Sequence, residues 1–251
     1  MRSRKVTSLS GAHEDDSAIV QLTREENRMS ALTLVIGNKA YSSWSLRPWL
    51  LLKHLGVAFQ EITVPLHAPD AAAQIARYSP SGRVPVLLDG DQVIWESLAI
   101  AESLAERYPE VWPTEARRRA LARSAASEMH AGFTALREEL PFNCRTRRSG
   151  VIPSPAAQAD IERMATLWRT CRLTISDDEG PWLFGRFTGA DAMFAPVALR
   201  FYTYGIVLPE GAQAYVDTVR QDLHVQAWIQ AARAETGVIL ADERGESVGE
   251  E

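Results

Sequence analysis

Cysteine and clustered histidine are scarce in this chain of 251 residues. Cys144 and Cys171 are the only cysteines and form no Cys-x-x-Cys pair. Two such residues are too few for a disulfide scaffold and are typical of the reducing cytoplasm. The five histidines are scattered, with no two within four residues, and neither cysteine has the spacing of a zinc ligand. We therefore expect a cytoplasmic protein that holds no metal.

Long apolar runs and an excess of positive charge are also absent. No run approaches the ~20 residues of a membrane span, so we expect no membrane partner. The 32 acidic side chains outnumber the 27 basic ones. Because no global positive field attracts a phosphate backbone, we expect no nucleic-acid partner. The composition, 46% hydrophobic and 24% charged, is that of a globular protein whose partners are small molecules or proteins.

The first 30 residues lack the apolar core that a signal peptide requires. Charges of both signs are mixed between Met1 and Arg28. We expect residues 1–30 to form a disordered tail. Met29 directly precedes the first strand-like run, so we also expect translation to begin there, which the intact mass of natively expressed protein tests.

Glycine and proline divide residues 31–108 into alternating strands and helices. A nearly continuous apolar run from Leu32 to Ile36 predicts a buried strand. The next helix, Leu46 to Leu55, ends at Gly56, where helices favour a left-handed residue. Further predicted elements are a strand at Phe59–Val64, a short helix from Asp70 toward Tyr78, a hairpin of Val84–Leu88 and Gln92–Trp95 around Asp89-Gly90, and a helix from Glu96 to Tyr108.

Helical periodicity replaces the strand signal after Pro113. Apolar residues spaced by three or four from Leu121 to Leu140 form one stripe, and a second stripe extends from Ile161 to Ile175. We expect two long amphipathic helices. Thr188-Gly189-Ala190-Asp191 has capping-box spacing before a helix through Tyr204. Weaker helical patterns cover Gly211–Arg220 and Asp222–Glu235.

The predicted domain organisation follows from this change of pattern. Residues 31–108 form a small α/β domain, residues 109–113 a linker and residues 114–236 an all-helical domain. Residues 237–251 are expected to be a C-terminal tail.

Two serines, Ser42 and Ser43, stand just before the first helix. Proline is tolerated only in a helix's first turn, so Pro48 places the start near Ser45 or Leu46. Unpaired N–H groups and the helix dipole favour an anion there, and a hydroxyl that donates to a bound sulfur favours thiolate over thiol. The alternative is that the serines only cap the helix, and this segment alone does not decide between the two.

The step from Val84 to Pro85 opens a short apolar strand. Thioredoxin-like folds keep a cis proline in such a β-β-α setting, and a cis bond turns the N–H and C=O of Val84 outward to pair with an extended peptide. An ordinary trans proline is the alternative, since only ~5% of X-Pro bonds are cis. Arg83 can reach a carboxylate, although taken alone it is expected to be solvated.

The next candidate site lies at Glu96 and Ser97, where a helix begins. A hydroxyl and free helical N–H groups suit a carboxylate, and Glu96 suits a neighbouring ammonium group. The α-amino acid end of a peptide carries both groups. Capping alone is the alternative, and it is favoured when this pair is considered by itself.

Together these segments resemble the glutathione S-transferase family. The resemblance covers about residues 32–235. The first segment is similar to the zeta class, whose pattern is Ser-Ser-Cys-Ser with arginine two residues later. The segments that carry it, in the family's order and spacing, are Ser42-Ser43-Trp44-Ser45-Leu46-Arg47, Arg83-Val84-Pro85, Glu96-Ser97-Leu98-Ala99-Ile100 and Thr188-Gly189-Ala190-Asp191.

The resemblance implies an α/β plus all-α fold, with an N-terminal thioredoxin-like domain followed by an all-helical C-terminal domain. It also implies glutathione as co-substrate and a homodimer. By the same match, Ser42 corresponds to the serine that activates glutathione, Val84 to the residue that pairs with the cysteinyl backbone, and Glu96 and Ser97 to the γ-glutamyl site. Trp44 stands where zeta enzymes have cysteine, which argues against their maleylacetoacetate isomerase activity.

The expected function is that of a glutathione S-transferase acting in detoxification. Ser42, or less favourably Ser43, donates to the sulfur, and the thiolate attacks a small hydrophobic electrophile lying between the domains against Trp44. Arginines of the connection between the two long helices, Arg145, Arg147 and Arg148, are more often a solvated face than an anion site. A non-catalytic ligand-binding or protein-interaction relative and a zeta-type isomerase remain alternatives, because fold does not determine function.

Overall fold

A computed structural model describes residues 32–248 of the chain. The predicted N-terminal tail and the start at Met29 lie outside the described residues. The first domain contains strands β1 (Leu32–Gly37), β2 (Phe59–Val64), β3 (Val86–Asp89) and β4 (Gln92–Trp95) and helices α1 (Ser43–His54), α2 (Ala71–Ala76) and α3 (Ser97–Arg107).

The four strands form one mixed sheet in the order β2-β1-β3-β4. Strand β1 is parallel to β2 and antiparallel to β3, and β3 and β4 form a hairpin. Both faces of β1 are buried: Leu34 and Ile36 belong to the core shared with α1 and α3, whereas Val35 packs with Ile75 of α2. Burial on both faces explains why this strand is a nearly continuous apolar run, with only the partly buried Thr33 interrupting it. The predicted thioredoxin-like order is confirmed.

Residues after Val111 form a second, mainly helical domain. Its central helix is α7, buried along almost its whole length, with the predicted capping box of Thr188 and Asp191 at its start and Pro196 inside it. The helices are α4 (Ala116–Ala131), α5 (Thr134–Glu139), α6 (Pro155–Arg172), α7 (Gly189–Thr203), α8 (Glu210–Gln221) and α9 (Leu223–Ala234). Within residues 32–248, no helix combines the length and the apolar character that crossing a bilayer requires.

The prediction of a single helix from Leu121 to Leu140 is wrong. Helix α4 ends at Ala131, and Phe133 adopts a left-handed conformation with φ 61° before α5 begins. The apolar spacing continues across this break because Phe133 and Leu136 enter the same core as Met129. Periodicity records which residues are buried and is insensitive to a local reversal of the backbone.

A second difference is a two-stranded antiparallel sheet of β5 (Arg147–Ser149) and β6 (Glu246–Val248), where the sequence shows no strand signal. It brings the segment after residue 236 onto the connection between α5 and α6. The paired residues are about 100 positions apart, so no local sequence pattern predicts their pairing.

Contacts from the last helix, α9, and from Glu235 directly after it fix the loop that precedes α1. The Glu235 carboxylate accepts hydrogen bonds from the backbone N–H groups of Lys39 (2.7 Å) and Ala40 (3.0 Å). Trp228 of α9 donates from its indole Nε1 to the Lys39 carbonyl at 2.9 Å. The backbone leading to Ser42 is therefore held by the helical domain.

Neither cysteine is expected to react with iodoacetamide while the protein is folded. Cys144 is 7% exposed and Cys171 is fully buried. Burial raises the pKa of both thiols to about 12, so the nucleophilic thiolate is scarce at mildly alkaline pH. Mass spectrometry should find no adduct on the native chain and two on the denatured chain. Equal rates in both states would contradict the burial.

Candidate functional site

A cavity of about 570 Å³ lies where the two domains meet. We refer to it as the main cavity. Predicted site residues Arg83, Val84, Pro85 and Glu96 line one side, and His130 and Arg137 of the helical domain also line it. Trp44, Ser81 and Trp95 complete the lining. The structure therefore brings residues of three of the four segments singled out in the sequence to one cavity at the domain boundary.

The Val84–Pro85 peptide bond is cis, as predicted. Pro85 precedes β3 and is buried, whereas Val84 is partly buried and Arg83 is exposed. The Arg83 N–H donates to the Ser79 hydroxyl at 3.2 Å, which orders the turn before the proline. This segment thus forms a fixed wall of the main cavity with the Arg83 side chain free to extend from it.

Glu96 and Ser97 form the start of α3. The Glu96 carboxylate caps the helix by accepting from the Leu98 N–H at 3.1 Å, and its backbone has a positive φ of 82°. Ser97 is buried, and its hydroxyl lies 3.4 Å from Glu96 Oε1. The capping role and the binding role weighed from the sequence are compatible, because the Glu96 side chain caps α3 and still lines the main cavity.

The two serines do not line the main cavity. Ser42 is 6% exposed, and its hydroxyl donates to Ser45 Oγ at 2.7 Å. Ser45 Oγ also accepts from the Gly37 N–H at 3.1 Å. Ser43 is the first residue of α1 rather than part of the loop, and its hydroxyl accepts from Arg200 at 3.3 Å. To contact a ligand, the Ser42 hydroxyl must rotate away from Ser45.

Trp44 lines the cavity in place of the serines and is surrounded by cationic side chains. The Arg47 guanidinium stacks on its ring at 3.9 Å, and that of Arg137 lies 5.4 Å from the ring centroid. His130 meets the same ring edge-on at 5.4 Å. Cations over an indole face are attracted by its quadrupole, so this cluster fixes Trp44 in the cavity wall.

Positive charge dominates around the start of α1. Arg47 is 1% exposed; its Nε donates to the Met193 carbonyl, and its two terminal nitrogens have no hydrogen-bond partner in the described part of the chain. Burial, together with Arg200 and Arg137, lowers the pKa of Arg47 well below its usual value. Burial likewise lowers the pKa of Arg200 to about 10. An anion bound at this end of α1 would offset the electrostatic repulsion of Arg47 by Arg200 and Arg137.

His130 and Arg137 are site residues that the sequence did not reveal. His130 Nε2 lies 3.3 Å from Glu96 Oε2, and Arg137 donates to the His130 carbonyl at 3.4 Å. Both flank the break between α4 and α5, which directs them toward the first domain. The only available signal was their separation by seven residues, which is equally typical of an ordinary helix face.

The arginines of the connection between α5 and α6 lie elsewhere. Arg145 and Arg148 form ion pairs with Glu243, and Arg147 stacks on Tyr202. None of the three lines the main cavity. Among residues 32–248, no group of three or more histidine, cysteine or acidic side chains is placed to hold a metal.

Comparisons with known proteins show what this chain is similar to. Residues 41–107 match the family model "Glutathione S-transferase, N-terminal domain". A glutathione transferase homologue from Burkholderia, solved with bound glutathione, has 28% identity and a TM-score of 0.60 over 82% of this chain and 100% of its own. Residues 41–107 are therefore similar to the N-terminal domain of glutathione S-transferases, and the chain is similar in fold to a glutathione transferase homologue over most of its length. The predicted fold class of the chain is that of the family.

Curated members of the family match over shorter segments. The probable maleylacetoacetate isomerase of Caenorhabditis elegans is 34% identical over 96 residues, 38% of this chain and 44% of that protein. Glutathione S-transferase Z2 of Arabidopsis thaliana is also 34% identical, over 102 residues, 38% of this chain and 46% of that protein. The aligned segments span less than half the length of these relatives.

Proposed function

We propose that this protein is a glutathione S-transferase that activates the glutathione thiol for attack on a small electrophile. The main cavity carries the proposal, since it joins Arg83, Val84, Pro85 and Glu96 to a cationic and aromatic wall around Trp44. The Burkholderia neighbour was solved with glutathione, which supports the choice of ligand.

Glutathione has a charge pattern that matches the first-domain side of the main cavity. Its γ-glutamyl ammonium is placed at Glu96, and its carboxylate at the start of α3, beside Ser97. The cysteinyl backbone pairs with Val84, in the manner of an added strand. Arg83, exposed at the rim, reaches the terminal carboxylate. This arrangement directs the thiol toward the start of α1.

Thiolate formation, in which the thiol proton is released to solvent water, is the proposed chemical step before attack. Ser42 donates to the sulfur after rotating from Ser45, and Ser43, whose hydroxyl oxygen is held by Arg200 in the buried interior, is the less favoured candidate. The start of α1 and the guanidinium groups of Arg47 and Arg137 supply positive charge nearby. A positive environment and a hydroxyl donor both lower a thiol pKa.

The second substrate is placed against Trp44, His130 and Arg137. An aromatic face and a cation suit a planar or polarised small molecule, and the cation can stabilise negative charge that develops during attack. A zeta-type glutathione-dependent isomerase is the second candidate, favoured by the match to the nematode protein. Trp44 at the position of the zeta cysteine weighs against it.

We also propose that the protein is a homodimer and is located in the cytoplasm. Light scattering tests the oligomeric state.

The proposal is tested by calorimetry with glutathione and by turnover assays with halogenated aromatics, epoxides, peroxides and a cis-trans dienone acid. Binding with conjugation of at least one electrophile is the expected result, whereas isomerisation alone would favour the zeta-type function. Binding without turnover would favour a non-catalytic ligand-binding relative. No detectable binding would remove the proposal.

Ser42→Ala should raise the pKa of bound glutathione by about one unit, because loss of a hydrogen bond to the thiolate costs about 1.4 kcal/mol. Titration of thiolate absorbance in the binary complex measures this shift. Ser43→Ala should have a smaller effect. Ser124→Ala, which removes an exposed hydroxyl on α4, is the matched control and should have none.

An unchanged thiol pKa in Ser42→Ala, with glutathione still bound, would exclude Ser42 as the activating residue. A raised pKa in Arg137→Gln alone would then assign activation to the guanidinium. The two variants therefore distinguish a hydroxyl donor from a positive field.

A further inference from the structure

Arginines line a second, smaller cavity on the helical domain. It has a volume of about 110 Å³ and shares no lining residue with the main cavity. Arg145, Arg147, Arg220 and Arg233 contribute to its wall, and none of the described lining residues is acidic. We refer to it as the arginine cavity. In a chain of net charge −5, such a concentration of positive charge is a local feature.

Two polar atoms of this wall are buried without a hydrogen-bond partner among the described residues. They are Thr146 Oγ1 and Arg147 Nε. Buried polar groups in native proteins are almost always paired with protein, water or ligand. A hydroxyl and a guanidinium N–H are both donors, so an occupant that accepts hydrogen bonds would satisfy them.

The guanidinium groups are held in place before any ligand arrives. Arg147 and Arg220 both stack on the ring of Tyr202, with centroid distances of 4.5 Å and 3.4 Å. Arg145 is fixed by the backbone carbonyls of Glu235 and Gly237. Preorganised donors lose little conformational freedom on binding, which favours affinity.

The ion pairs described for residues 32–248 neutralise only part of the positive charge of the arginine cavity. Glu243 pairs with Arg145 and also with Arg148, which lies outside the cavity. Asp217 stands 3.7 Å from Arg220 and is 43% exposed, so solvent weakens its effect. Arg147 forms no ion pair within residues 32–248. Cys144 adds no negative charge, because burial raises the pKa of its thiol to about 12.

We propose that the arginine cavity binds a phosphate group, as inorganic phosphate or as the head of a small phosphomonoester. A dianion with several acceptor oxygens matches several forked guanidinium groups and a hydroxyl better than a single carboxylate does. The volume of about 110 Å³ accommodates one such group. A shallower cleft of about 380 Å³ shares Arg147, Tyr202 and Arg220 and adds Ile206, Val207 and Leu208, which gives room for an apolar body.

Titration calorimetry of the full chain with inorganic phosphate, at constant ionic strength, tests the proposal. We expect saturable binding of one phosphate per chain. Arg147→Gln should weaken it by about tenfold or more, whereas Arg77→Gln, at an exposed arginine of the first domain, should change it by less than about twofold. Phenyl phosphate binding more tightly than phosphate would identify the monoester as the better-fitting form.

Further variants make the outcome decisive. No saturable binding to the wild-type chain would overturn the proposal. So would loss of binding with Arg83→Gln but not with Arg147→Gln, because the anion would then occupy the main cavity. Arg147→Lys, which keeps the charge, should bind more weakly than wild type but better than Arg147→Gln.

Discussion

Replacing Glu96 with glutamine will weaken glutathione binding about 100-fold. Glu96 is the only carboxylate among the described residues that line the main cavity, and its Oε2 is fixed 3.3 Å from His130. A hydrogen bond to a charged partner contributes about 1.5–3 kcal/mol, and the higher end of that range corresponds to a factor of about 100. Calorimetry of glutathione binding measures the change directly.

The substitution should leave the fold intact. Glutamine keeps a side-chain oxygen that can accept from the Leu98 N–H at the start of α3. Glu106→Gln, an exposed position on the same helix, is the matched control and should bind glutathione as wild type does. If Glu96→Gln binds glutathione with unchanged affinity, the γ-glutamyl ammonium is not held at the start of α3, and the proposed orientation of glutathione is wrong.

Asp191→Ala is expected to destabilise the protein by about 4 kcal/mol. The fully buried carboxylate accepts from the Leu183 N–H, the Thr188 N–H and hydroxyl, and the Tyr215 hydroxyl. Alanine would leave several buried donors without an acceptor, each at a cost of about 1–3 kcal/mol, partly offset by relaxation. Urea unfolding followed by circular dichroism measures the loss. A change below about 1 kcal/mol would show that the capping box is dispensable.

The stability difference between wild type and Asp191→Asn should depend on pH. Burial raises the pKa of Asp191 to about 6, above the value of about 3.9 for an unfolded aspartate. The folded state therefore binds the proton more tightly, and the contribution of this carboxyl to stability falls as pH rises from about 4 to 6. The advantage of wild type over Asp191→Asn should shrink by up to about 3 kcal/mol over that interval and then level off. A pH-independent difference would contradict the raised pKa.

The parts of the fold that sequence could predict are those whose causes are local. The Asp89-Gly90 turn encodes the hairpin because Gly90 adopts the positive φ of 59° that the turn needs. The capping box at Thr188 marks the start of α7 to the residue. Strand β2, Phe59–Val64, was also predicted with its observed bounds.

Predictions that depended on distant contacts were less complete. The pairing of β5 with β6 joins residues about 100 positions apart. His130 and Arg137 reach the main cavity only because α4 ends at Ala131 and the chain reverses at Phe133. The hydroxyl of Ser42 turns toward Ser45, a rotamer choice that side-chain identity alone does not determine.

The hydrogen bonds that Lys39 and Ala40 donate to Glu235 have a consequence for biosynthesis. The loop that leads to Ser42 is held by residues that the ribosome adds almost 200 positions later. A nascent chain can pair its first strands early, yet the approach to α1 acquires its final anchor only after α9 has left the exit tunnel. Fragments that stop before residue 235 should therefore contain every side chain proposed to contact glutathione and still lack the loop conformation that positions the thiol.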